Sequence, residues 1–174
     1  MIKEINDIDH LNKTLDQWNS VKNKNHWANL STSIHADRFD PATVQSFIKN
    51  MFLSSIEYPE VMPYIKLWSY EVENFSLAGC VFFVKENFMT GKPILEECLW
   101  QVNGELATNF SQKKMLIKLL RAAENYGRSK RIDTICFHRG LDFHKLSQDA
   151  RPINNYYTKN GFQPSTVMYY KKLR

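Results

Sequence analysis

The chain has 174 residues, enough to bury about 70% of the surface its unfolded form exposes and few enough that a single domain over residues 1–174 is the default expectation. With 43% hydrophobic and 24% charged residues, the composition excludes intrinsic disorder. The longest obvious apolar run, Leu77 to Val84, falls far short of the ~20 residues a spanning helix needs, so no membrane association is expected. A net charge of +5 favours anionic partners, a class that includes phosphate-bearing coenzymes, acidic proteins and nucleic acid alike.

Cys80, Cys98 and Cys136 all sit in apolar stretches, odd in number and without paired spacing, which reads as buried reduced thiols in a cytoplasmic, reducing compartment. The five histidines show no HxxxH, HExxH or Cys/His clustering, so no metal site is expected.

In chain order, Met1 to Ile5 suits a short strand. Ile8, Leu11, Leu15 and Trp18 recur at helical spacing behind Asp7, an N-cap candidate. Asn19 to Phe39 is polar and irregular, with Trp27 and His35 embedded in it, and reads as a long loop. Asp40-Pro41 then opens a second helix whose apolar face is Val44, Phe47, Ile48, Met51 and Phe52.

Tyr64 to Glu71, Ser76 to Lys85 and Pro93 to Val102 read as an antiparallel meander of three strands. The middle one is apolar on both faces and therefore central, and Thr90-Gly91-Lys92-Pro93 supplies the turn between the last two. Strict alternation along the third strand puts Glu96, Cys98, Trp100 and Val102 on one face and Glu97 on the other.

Ser111 to Tyr126 carries Leu116, Leu119, Leu120 and Ala123 on one helical face and is expected to stop at Gly127, a left-handed terminator. Ile132 to His138 reads as a strand, Arg139 to Arg151 as a long connection containing Asp142, His144 and Lys145, Pro152 to Lys159 as a short helix closed by Asn160-Gly161, and Thr166 to Leu173 as a final strand. The predicted fold is mixed α/β (α+β): a mainly antiparallel sheet of about six to seven strands flanked by about four helices.

The C-terminal segment Tyr156-Tyr157-Thr158-Lys159-Asn160-Gly161-Phe162 resembles the aromatic-Tyr-x-x-x-Gly-Phe segment of the GNAT superfamily of N-acetyltransferases, whose order of elements is similar to the one just described. The resemblance implies acetyl-CoA or another acyl-CoA as co-substrate, an amine acceptor, and direct attack of the amine on the thioester in a ternary complex. Aligning Met115-Leu116, Leu119, Ala123 and Gly127 with the family's coenzyme helix places Val102 where a backbone N–H faces the thioester carbonyl, an oxyanion-type donor fixed before charge develops. The same frame places Glu96 where some members draw a general base, and Tyr157 where a phenol protonates the departing thiolate, with Tyr156 its competitor beside the coenzyme. Read as ordinary structure, Glu96 is a strand-end carboxylate facing solvent and Tyr157 packs the helix on the sheet.

The chain departs from the family at the Gln/Arg-x-x-Gly-x-Gly/Ala loop, where Ala107, Phe110 and Gln112 stand in place of the amide or basic residue and the two small ones. Either Ser111, Gln112, Lys113 and Lys114 contact phosphate through side chains and the free N–H groups of a helix start, or the protein is a noncatalytic GNAT-shaped binding or structural module within a larger assembly. A third reading, a nucleic-acid-associated enzyme or binder, rests on the positive charge and on Trp27, Trp68 and Trp100 as stacking groups.

Overall fold

The computed structural model describes residues 1–20, 41–59, 61–102, 109–136 and 159. Of the loop expected at 19–39, Asn19 and Ser20 instead complete the first helix and the rest lies outside the described residues, as do the connection at 139–151, the final strand and the Tyr156 to Phe162 segment apart from Lys159. Contacts group Met1–His138 into one compact unit and Arg139–Arg174 into another. Every element below belongs to the first.

Five strands form one sheet in sequence order: β1 (Ile2–Glu4), β2 (Tyr64–Val72), β3 (Phe75–Glu86), β4 (Pro93–Val102) and β5 (Thr134–Cys136). The first four pair antiparallel and β5 joins β4 in parallel, so the doubly apolar β3 is central, as its composition requires. The hairpin between β3 and β4 turns on Gly91 at φ 64°. It is braced by Asn87, whose carbonyl accepts from Gly91 N (2.7 Å) and whose Oδ1 accepts from Met89 N (2.9 Å).

Three helices are described: α1 (Ile8–Ser20), α2 (Pro41–Glu57) and α3 (Asn109–Ser129). Asp7 caps α1 as expected, its Oδ1 accepting from His10 N at 2.7 Å. The end of α3 differs from expectation. Gly127 stays inside the helix, and the left-handed residue is Arg131 at φ 56°. Arg131 N donates to Arg128 O (3.2 Å) and Ile132 N to Gly127 O (2.8 Å), the two bonds of a Schellman cap, with Ile132 buried as its apolar closure. Gly127 serves packing instead: a Cβ there would lie 3.1 Å from Leu95 Cδ1, so its absence lets α3 settle onto β4.

The two faces of the sheet are covered by different helices. One carries Ile65, Leu67, Val81 and Leu99 against Ile5, Leu11, Leu15 and Trp18 of the N-terminal segment and Ile48 and Phe52 of α2. On the other, Met115, Leu119, Leu120 and Ala123 of α3 are buried. Tyr126 packs on Trp68 there (ring centroids 5.6 Å, 62°), and its hydroxyl meets that of Tyr64 at 3.0 Å. Trp68 is 3% exposed and wedged between Phe82 and Tyr126, which removes it from any role as a base-stacking platform.

Trp18 locks α1 to the sheet. Its indole lies over Gly79, Nε1–H donates to Ser76 Oγ (2.9 Å), and Ser76 Oγ also meets Ser69 Oγ (2.7 Å). Any Cβ at position 79 would fall inside the ring. Gly79→Ala is therefore expected to destabilise the fold by about 2–3 kcal/mol through overpacking. A lowered urea midpoint checks this, and an unchanged midpoint contradicts the placement of Trp18.

A second tie is ionic. Glu71, buried on β2, accepts from Lys3 Nζ (2.7 Å) and His10 Nε2 (2.5 Å), joining β1, β2 and α1. Burial pushes its carboxyl up, but the Lys3 and His10 hydrogen bonds and charges more than offset this and hold it below the usual carboxylate range. Between the folded value and the unfolded one (~4.3) the unfolded chain binds more protons, so this stabilisation is complete above the unfolded pKa and drains as pH falls through the folded one. Glu71→Gln is expected to cost about 1–3 kcal/mol at neutral pH and to flatten the loss of stability below about pH 5, as read from urea midpoints against pH.

Candidate active site

The site builds on β4, whose two edges are treated differently. On the β3 side Val81 pairs with Leu99 but Phe82 pairs with Glu97, so Cys98 is an extra residue and β4 carries a bulge. The bulge divides the face expected from alternation. Glu96 falls opposite Phe83, Leu99 opposite Val81 and Gln101 opposite Gly79, on the α1/α2 side. Leu95 and Glu97 fall opposite Val84 and Phe82, with positions 100 and 102 opposite Cys80 and Ala78, on the α3 side. Glu96 thus does not share a face with positions 100 and 102, because one inserted residue reverses the parity of everything beyond it.

On its other edge β4 pairs with β5 from Ile94↔Thr134 to Glu96↔Cys136. The Glu96 side chain is only 15% exposed and is ion-paired with Lys85 of β3, so it is not a solvent-facing strand-end carboxylate. Lys85 stands opposite Ile94, one diagonal step from Glu96. Next to it, Phe83 takes the edge of Phe47 from α2 (5.9 Å, 65°). Glu97 is buried on the opposite face.

The register also sets a distance. Positions 96 and 102 are separated by five residues of β3, about 16 Å at the rise of a strand. A carboxylate at 96 and a backbone N–H at 102 therefore do not reach one reacting carbon.

At the far end of the site, α3 begins at Asn109, two residues before the expected Ser111. Phe110, Ser111 and Gln112 consequently belong to its first turn, whose four leading N–H groups have no partner within the helix. Lys114 follows, exposed. The side chains of Ser111, Gln112 and Lys113, like Tyr156 and Tyr157 entirely, lie outside the described residues. Sequence reasoning passed over Lys85. Its signal was the Asn87 to Lys92 turn, which fixes the hairpin register and with it the cation beside Glu96.

The three thiols are free, and only Cys80 is fully buried. Burial, then the charges of Glu97 and Glu96, push Cys98 up to about 12. Burial and Glu96 raise Cys136 as well, with Lys85 opposing them. Among the described residues no group of three or more His, Cys, Asp or Glu is placed to hold a metal, and no helix is long and apolar enough to cross a membrane. Folded protein is expected to keep Cys98 unmodified by iodoacetamide at about pH 8, and urea to expose it to rapid alkylation. Peptide mapping checks this, and equal labelling in both states contradicts the burial.

No protein-family model matches the sequence, and no curated protein matches it. Solved structures do. A protein from Clostridium difficile 630 described as a possible acetyltransferase is similar with a TM-score of 0.62 at 13% identity, over 100% of this chain and 99% of that one. An aminoglycoside acetyltransferase from an uncultured soil metagenomic sample, in complex with sisomicin, gives 0.57 at 15% over 100% and 96%. An aminoglycoside N-acetyltransferase in complex with CoA gives 0.57 at 11% over 100% of both chains. The sheet order, the parallel β4–β5 pair beside an antiparallel meander and these likenesses together establish that the chain has the fold of the GNAT acetyltransferases.

Proposed function

We propose that the protein is an acyl-CoA-dependent N-acyltransferase acting on a primary amine. The observation that carries this reading is Glu96, a largely enclosed carboxylate on β4 that is ion-paired with Lys85 of β3. The acetyltransferases of the same fold, one in complex with CoA and one with sisomicin, support the carrier and the amine class of acceptor.

In this mechanism Glu96 takes a proton from the acceptor's ammonium, directly or through one water. The amine nitrogen attacks the thioester carbonyl carbon, the C–S bond breaks, and the thiolate takes a proton from Tyr157. Since Val102 lies about 16 Å along the strand from Glu96, its N–H is assigned to the coenzyme's stem. The first-turn N–H groups of α3, with Ser111, Gln112, Lys113 and Lys114, hold the phosphates, and Tyr156 flanks them. Holding both reactants in place supplies most of the rate.

A second reading, a noncatalytic module that binds a protein partner, is favoured by Phe110 and Gln112, which stand in the first turn of α3 where the family keeps small residues. Calorimetric titration with acetyl-CoA separates the two. Heat of binding is expected for both wild type and Glu96→Gln, with turnover on a panel of primary amines lowered about a hundredfold in the variant. Absence of heat at millimolar ligand, with the protein folded, overturns the enzymatic reading and favours the module.

A further inference from the structure

With Glu96 as the base of the acyltransferase reading, Lys85 occupies the position that an acceptor amine has to reach. Its Nζ lies on Glu96 Oε2, arriving across the β3–β4 hairpin from one diagonal step away. Lys85 is 39% exposed and Glu96 15%, so the ammonium remains open to solvent while the carboxylate beneath it is largely enclosed. Other lysines make ion pairs too: Lys3 with Glu71 and Lys66 with Glu4 at the β1–β2 edge of the sheet, and Lys92 with Asp133 in the open. Of these lysines, Lys85 is the one paired with Glu96.

If Glu96 is the base, an external amine must displace Lys85 or follow its consumption. From this contact we infer that Lys85 is a self-acylation site, the inference resting on the acyltransferase reading above. Glu96 removes a proton from the Lys85 ammonium, and the neutral Nζ attacks the acyl carbon of a bound acyl-CoA. A C–N bond forms, the C–S bond breaks, and the coenzyme thiolate leaves and takes up a proton. The products are Nε-acyl-Lys85 and free coenzyme A. Tethering on a rigid hairpin makes the nucleophile effectively concentrated at the carboxylate, which free lysines elsewhere on the surface lack. Acylation also removes the positive charge that Lys85 brings to Glu96.

The full-length protein incubated with acetyl-CoA, followed by proteolysis and peptide mass spectrometry, tests this, with calorimetry on the same samples reporting acetyl-CoA binding. Lys85 is expected to gain one acetyl group at least about tenfold faster than the 71% exposed Lys92, at a rate independent of protein concentration. Glu96→Gln should slow Lys85 acetylation about a hundredfold and leave the Lys92 background unchanged, whereas Glu86→Gln, an exposed neighbour, should leave both unchanged. Lys85→Arg, which keeps a cation at Glu96, should remove the fast-modified site while retaining heat of binding. Binding without preferential Lys85 acetylation, or acetylation indifferent to Glu96→Gln, overturns the self-acylation site alone. Absence of binding overturns the acyltransferase reading with it.

Discussion

The extra residue in β4 at Cys98 controls the site more than any other single feature. A strand confined between an antiparallel partner and a parallel one cannot slide, so an insertion on one edge is absorbed locally and changes side-chain parity from that point on. Ordinary alternation sets Glu96 toward the α1/α2 layer beside Phe83 and Lys85 and Glu97 toward α3, and the bulge then puts positions 100 and 102 on the face opposite Glu96. Two adjacent carboxylates thereby have different surroundings, and Glu96 is ion-paired with Lys85 on the neighbouring strand.

The remainder of the described fold holds that strand still. Trp18 seated on Gly79 fixes α1 across the central strand, and Gln45 Nε2 donating to Leu15 O ties α2 to α1. Glu71 gathers β1, β2 and α1 at the opposite edge of the sheet. On the other face Tyr126 closes α3 over β2 through the Tyr64 hydroxyl and the Trp68 ring, while Gly127 allows that helix to approach Leu95. With both layers anchored, Glu96 is held to a narrow range of positions by residues that never touch it, as a preorganised group requires.

The charges near the site are arranged in the same economical manner. Lys85 pairs with Glu96, and burial together with the charges of Glu97 and Glu96 keeps Cys98 protonated, so the thiol at the bulge is a packing group rather than a competing nucleophile. The net positive charge of the chain suits a phosphate-bearing ligand. The tryptophan at position 68, which could have suited nucleic acid, is spent on the core.

Local chemistry made much of this legible in advance. Helical spacing of Leu11, Leu15 and Trp18, the Asp7 cap, Pro41 at a helix start, the doubly apolar β3 and the turn at Gly91 each follow from short-range sterics and hydrogen bonding, and each is found where it was expected. Features that depend on a partner strand or helix were not legible. Gly127 looked like a terminator because glycine tolerates positive φ, yet the pressure on that position comes from Leu95, and Arg131 takes the left-handed turn instead. Glu96 and positions 100 and 102 were expected on one face because alternation is exact only in an unbulged strand, and a bulge is decided by how β3 and β4 fit together. Among the described residues the sequence by itself determined which segments are helix or strand, and the family resemblance marked Glu96. Only the tertiary structure decided which face that carboxylate occupies and that Lys85 meets it, since both depend on the register between strands.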